Sequence, residues 1–287
     1  MPEIPLALVS ALLFALGTVL QQKASLDAPA TAHGSHAGLL LRMARRPAWL
    51  AGIAADALGF GAQAVALTVG RVAVVQPLLA ASVVFALPLG VRLTGQHVGR
   101  RDLAGALLVT GALAVFLLVA DPAGGRAQAP LHGWVLAGAL LSGASVLLAL
   151  AARRAPQRMR AALLGAGAGL LFALCAALTK TVGEQVRHGL LGAFSDWPLY
   201  ALALVGYASM TLNQLALASG ALAPALASST AVDPVAGVVL GIALFDETLA
   251  SGPLPTAAGL LALAAMLLGV GVLAHVWQPP ALARKPR

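Results

Sequence analysis

The chain has 287 residues, of which 60% are apolar and only 10% charged, whereas soluble domains carry roughly 25% charged residues. A water-facing surface cannot be assembled from that remainder, which excludes an ordinary soluble enzyme or binding module. The net charge of +8 would suit nucleic acid, but nearly all charges fall in short breaks between apolar runs, as topology determinants beside anionic lipid do. The expected macromolecular surroundings are therefore membrane lipids, with no nucleic-acid partner.

A helix crossing the bilayer core needs about 20 apolar residues, and the chain supplies such runs repeatedly. The first covers 4–22. It is preceded by Glu3 and by no Lys or Arg, the opposite of a signal peptide, so it reads as a retained span although Ala30-Thr31-Ala32 loosely mimics a cleavage site. The polar stretch 23–46 follows, with His33 and His36 in a solvated loop that lacks further metal ligands. Its basic piece 39–46 is too short to cross and could lie in the interface.

The second run, 47–69, carries Asp56 on one helical stripe with Gly52, Gly59 and Gln63. Such a stripe suits either a tight helix seam with Asp56 bonded to a neighbour, or the wall of a polar cavity. Gln76-Pro77 marks a weak point in the third run, 72–91. A fourth run covers 103–120 and a fifth 131–152.

The sixth, 161–180, contains the single Cys175, so no intrachain disulfide is possible. Its Gly165-Ala166-Gly167-Ala168-Gly169 lacks the preceding strand and closing Gly-Lys-Ser/Thr of a phosphate loop, and reads as a surface for close helix packing. Lys180 at its end is expected to snorkel to the headgroups.

The seventh run, 198–219, presents Gly206, Ser209 and Asn213 on one stripe. The eighth, 222–245, holds Pro224, Ser229, Asp233 and Pro234. Pro234 has no N–H for the carbonyl of Thr230, so this turn reads either as a broken helix that holds a cation or as a kink satisfied by local hydroxyls. The ninth run covers 255–276.

Lys and Arg counted on alternate sides of nine spans divide 14 against 4. The excess belongs in the cytoplasm, which puts the N-terminus outside a plasma membrane and the C-terminus inside. An internal repeat accompanies this pattern. Leu13-Phe14-Ala15-Leu16 recurs as Leu171-Phe172-Ala173-Leu174, Gln63–Leu67–Gly70 as Asn213–Leu217–Gly220, and Leu89-Gly90-Val91 as Leu240-Gly241-Ile242. Spans 1–4 thus correspond to spans 6–9. An odd number of spans separates them, so the units are inverted, as in secondary transporters with a midplane site.

The expected fold is an all-α polytopic membrane protein of about nine transmembrane helices. Residues 1–120 form a first repeat, 121–160 a linker with an extra helix, 161–277 a second repeat and 278–287 a cytoplasmic tail.

Residues Trp49-Leu50-Ala51-Gly52, Gly59, Gln63, Val74-Val75, Pro77-Leu78 and Ser82 resemble the second and third spans of NIPA-type magnesium transporters. Gly241-Ile242-Ala243-Leu244-Phe245-Asp246-Glu247, with Gly259 and Gly269, resembles the closing hairpin of EamA-type domains. Both families belong to the drug/metabolite transporter (DMT) superfamily. The NIPA pattern has an acidic residue after the glycine of the second span, where this chain has Phe60 after Gly59, and Gln96 stands where the second half has Glu247.

The leading expectation is a secondary transporter without cofactors that moves a small solute or cation. Asp56, Gln63, Gln76, Asn213, Ser229 and Asp233 would bind substrate or coupling ion, with Pro77, Pro224 and Pro234 as hinges. Asp56→Asn is then expected to abolish coupled transport. The NIPA resemblance implies instead a divalent-cation pathway in which Asp56 and Asp233 hold magnesium, a metal that takes one or two carboxylates and retained water. A membrane scaffold is the alternative from another class, and a homodimer would be compatible with each. No nucleophile–base pair or metal cluster of an enzyme is apparent.

Overall fold

The computed structural model describes residues 2–26, 46–95, 99–120, 123–219, 222–250 and 252–276. His33, His36, Gln96 and most of 23–46 lie outside the described residues. Each of the nine apolar runs forms helix: α1 (Glu3–Leu26), α2 (Pro47–Val69), α3 (Val72–Leu79) continued by α4 (Ala81–Thr94), α5 (Arg100–Ala120), α6 (Leu131–Ala152), α7 (Gln157–His188), α9 (Trp197–Ala218), α10 (Leu222–Phe245) and α11 (Pro253–Val276). A short α8 (Leu190–Ser195) lies between α7 and α9.

Among the described residues, six stretches are long and apolar enough to cross a membrane: Glu3–Ala24, Pro47–Val69, Val72–Thr94, Leu131–Ala152, Gln157–His188 and Ala227–Phe245. Shorter apolar stretches occur in α5 (Leu103–Val119) and α11 (Pro253–Gly269). Large apolar side chains stand outward all around the bundle, among them Leu58, Leu118, Leu147, Leu204 and Leu261, so the protein requires an apolar medium. This is a membrane-embedded helical protein.

The third run is two helices that meet at Ala80, three residues after Pro77. Pro77 has no N–H to give to the preceding turn, and the helix tightens there, with the Ala80 N–H donating to the Pro77 carbonyl at 3.1 Å. Further along, α4 ends at Gly95 in the left-handed conformation (φ 67°), and the Gly95 N–H donates to the carbonyl of Gly90.

At 32 residues and about 1.5 Å per residue, α7 is the longest element and the hub of the bundle. It packs against α6, α9 and α10 and also touches α2 and α3. Gly165, Gly167, Ala168 and Gly169 are buried on it, consistent with the expected packing surface. Elsewhere α1 packs on α2, α3 and α4, and α5 packs on α11.

One feature departs from a purely helical chain. Residues Ala123–Gly124 (β1) pair antiparallel with Glu247–Thr248 (β2), in register Ala123↔Thr248 and Gly124↔Glu247. The segments that follow α5 and α10 meet there, and the ladder satisfies backbone groups that two adjoining loops would otherwise leave without partners.

Candidate functional site

Half-way along α10, where Asp233 and Pro234 lie, the bundle holds a partly open cavity of about 250 Å³. Phe14 comes to it from α1, Phe60 and Gln63 from α2, Gln76 and Leu79 from α3, and Ser82 from α4. Phe172, Cys175 and Thr179 of α7 face Ser229, Thr230 and Asp233 of α10. Two polar atoms here are buried and have no hydrogen-bond partner among the described residues: Oδ1 of Asp233 and Oε1 of Gln76. Gln76 is 2% exposed. Its position depends on Gly237 of α10, since a Cβ there would lie only 2.8 Å from the Cβ of Gln76.

Orphaned acceptors of this kind cost roughly 1–3 kcal/mol each when nothing donates to them. Both residues line the one cavity, where acceptors of this kind suit a hydrogen-bond donor or a positive charge.

Four of the six expected binding residues therefore come together: Gln63, Gln76, Ser229 and Asp233. Of the three hinge candidates, Pro234 lines the cavity, Pro77 is buried in α3, and Pro224 sits near the start of α10. Asn213 lies half-buried on α9 and is not part of the cavity wall.

Asp56 is elsewhere as well. Its Oδ2 accepts from Gln21 Nε2 at 2.5 Å across the α1–α2 seam, and Gly17 leaves room for its carboxylate. Ser10 donates to the carbonyl of Gly59 at 2.8 Å in the same seam. Phe14 and Phe60, edge to face at 5.1 Å, stand about one turn along these helices from Gly17 and Asp56 and line the cavity, which Asp56 does not. Of the stripe on α2, then, Gly52, Asp56 and Gly59 pack against α1, and Gln63 alone reaches the cavity. The expected magnesium pair of Asp56 and Asp233 does not share a site. Among the described residues, no three His, Cys, Asp or Glu side chains gather as metal ligands.

A second polar centre lies at the end of the bundle where α1 begins. Glu247, 1% exposed, accepts from the first two amides of α3, Val72 N–H and Ala73 N–H, each at 2.8 Å. A carboxylate at a helix N-terminus meets unsatisfied donors and the positive end of the helix dipole. Lys180 Nζ completes the arrangement at 2.7 Å from Oε1 of Glu247 and lies 4.5 Å from the Phe245 ring centroid. Lys180 is thus 6% exposed and paired, rather than snorkelling to the headgroups.

Beside it, Arg126 clamps the end of α10. Its N–H donates to the Phe245 carbonyl at 2.6 Å, its Nε to the Leu244 carbonyl at 2.9 Å, and its guanidinium pairs with Asp246 at 3.2 Å. A hollow of about 370 Å³, lined by Glu3, Arg71, Arg126 and Lys180 among others, opens at this end. The Glu247 network joins positions 67 to 175 residues apart, so no local pattern announces it.

No family model matches the chain, and no solved structure matches it. An uncharacterized protein of Corynebacterium glutamicum is 31% identical over 245 residues, which cover 84% of this chain and 83% of that protein. The chain belongs to that protein's family. The matched length is long enough to take in most of the helices described above, so family membership extends over the bundle rather than over one motif.

Proposed function

We propose that the protein is a secondary transporter of the drug/metabolite transporter superfamily that moves a small solute or cation by alternating access. The observation that carries this reading is the central cavity with two unpartnered buried acceptors, Asp233 and Gln76. A scaffold would have no use for such atoms, because apolar residues of similar shape would pack there without cost.

Several features support nine crossings and an inverted repeat. The contacts Glu3–Arg71, Lys180–Glu247 and Arg126–Asp246 gather the N-terminus and the turns after runs 2, 4, 6 and 8 at one end. A shared end for the N-terminus and these four turns is what nine single crossings would produce. The packing of α1 on α2 and α4 has its counterpart in α7 on α9 and α10. The equivalent residues Gly95 and Asp246 both take positive φ, 67° and 50°. Phe14 and Phe172, equated by the repeat, line the same cavity, as do Ser82 and Asp233.

The charge balance supports an outer N-terminus in a plasma membrane. Arg71, Arg126, Lys180 and Arg187, the basic residues of that side, are each within ion-pair distance of a carboxylate. The other side carries 14 basic residues against Asp27 and Asp102. On this reading Glu247, Lys180 and Arg126 close the outer mouth, and the hollow beyond them is its vestibule. Opening requires α3 to leave Glu247 or the β1–β2 turn to swing away with it.

Cys175, the sole cysteine, lines the cavity and tests the reading without knowledge of the substrate. In intact vesicles, small impermeant thiosulfonates applied from the cytoplasmic side should modify Cys175, and Glu247→Gln should raise modification from outside. A cavity that neither face reaches, in the native protein and in Glu247→Gln, would be sealed, and transport through it would be ruled out.

A further inference from the structure

The chemistry of the cavity wall narrows the substrate class, on the reading that the cavity is the transport site. We propose that it takes a small organic monocation: an amine or alkylated ammonium with an apolar body.

Among the described residues that line the cavity Asp233 is the one carboxylate, and no Lys, Arg or His stands with it. An anion would meet Asp233 across a medium of low dielectric with nothing to offset the repulsion. A neutral solute would fit only with Asp233 protonated, since a buried carboxylate needs a counter-charge. The unpartnered atoms Asp233 Oδ1 and Gln76 Oε1 are both acceptors, the complement of an ammonium or of a hydroxyl carried beside one.

The rest of the wall separates an organic cation from a metal ion. Phe14, Phe60, Phe172, Leu79 and Pro234 face the same space. A hydrated divalent cation would press its retained waters against these surfaces, where they find no acceptor. A substituted ammonium places its carbon shell there instead, and aromatic faces attract such a cation by about 0.5–2 kcal/mol. Thr179 gives its hydroxyl proton to the Cys175 carbonyl at 2.7 Å, so its oxygen presents lone pairs to the cavity as well. At about 250 Å³ the space is on the scale of one small organic molecule.

The test uses the full-length protein in detergent, with radiolabelled choline and benzyltrimethylammonium as probes. Competitors are 3,3-dimethylbutan-1-ol, the neutral isostere of choline, and magnesium chloride. Saturable binding of at least one probe is expected, with about tenfold or greater weakening in Asp233→Asn and no displacement by the isostere. Gln76→Glu adds a second carboxylate at constant shape and should bind the probe at least as tightly, which serves if Asp233→Asn fails to fold.

Four results would overturn the cation class: no binding of either probe, displacement by the isostere as strong as by choline, displacement by magnesium at equal ionic strength, or weaker binding in Gln76→Glu. Flux of the bound probe into proteoliposomes separates the two readings. Binding without flux discards transport and keeps the cation class. Flux of an anionic or neutral solute that depends on Asp233 keeps transport and discards the cation class.

Discussion

The α1–α2 seam and the central cavity each hold one aspartate from the middle of an apolar helix, and the two aspartates have opposite surroundings. Asp56 has Gln21 as donor and Gly17 beneath it, and it does not line the cavity. Asp233 has an oxygen with no donor and faces the cavity. Depth in the membrane makes either residue expensive, but depth does not say how the cost is met. An aspartate satisfied by a neighbour holds helices together, and one left unsatisfied is available to a ligand.

The largest effect should therefore fall on Asp233. Asp233→Asn keeps the shape and removes the charge, and initial flux of substrate into proteoliposomes should drop by about tenfold to hundredfold, the worth of a hydrogen bond to a charged group. Size-exclusion behaviour and helicity should stay as in the native protein. Undiminished flux would move the binding site away from α10.

Next comes Glu247, whose role is architectural in the closed state. Glu247→Ala strands the Lys180 ammonium and two amides of α3 in a buried place, and removal of one partner of such a pair costs about 3–5 kcal/mol. Thermal unfolding in detergent should show a large drop in Tm. The double variant Lys180→Met with Glu247→Gln should lose less than the two single changes together, and strictly additive losses would show that the pair is not coupled.

How far these sites were legible in the sequence differs between them for physical reasons. All nine apolar runs are helical, because a stretch of about 20 apolar residues specifies a membrane helix by length alone. Gln63, Gln76, Ser229 and Asp233 reach the cavity, as their polarity within apolar runs suggested. The destinations of Asp56 and Asn213 were not legible, since a stripe of small and polar residues fits a seam as well as a cavity wall. Lys180 escaped for a different reason: its partner is 67 residues away, and a lysine at a helix end looks the same whether it snorkels or pairs. The ladder of β1 and β2 is too short to carry a sequence pattern of its own.

A smaller effect tests the fit around Glu247. In Gly241→Ala the new methyl would lie 3.0 Å from the Ala73 nitrogen and collide with the Glu247 carboxylate. Because the neighbours are backbone and a fixed ion pair, they cannot yield cheaply, and overpacking of this kind costs about 1–3 kcal/mol. The Tm should fall by less than in Glu247→Ala. A neutral result would mean that the end of α10 is looser than these distances imply.

The smallest effect is expected at Asp56, against the expectation that Asp56→Asn abolishes coupled transport. An asparagine there still accepts from Gln21 through its side-chain oxygen, and the seam retains Ser10 on the Gly59 carbonyl. Stability should change by about 1 kcal/mol at most, the net value of a typical hydrogen bond. Flux should remain near the native rate, because Asp56 is paired in the seam and does not line the cavity. Measured alongside Asp233→Asn in the same vesicles, the variant makes the comparison decisive. If both substitutions abolish flux, the seam must open during the cycle and Asp56 must join the path. If magnesium flux appears and depends on both, the paired-carboxylate pathway replaces the organic-cation reading.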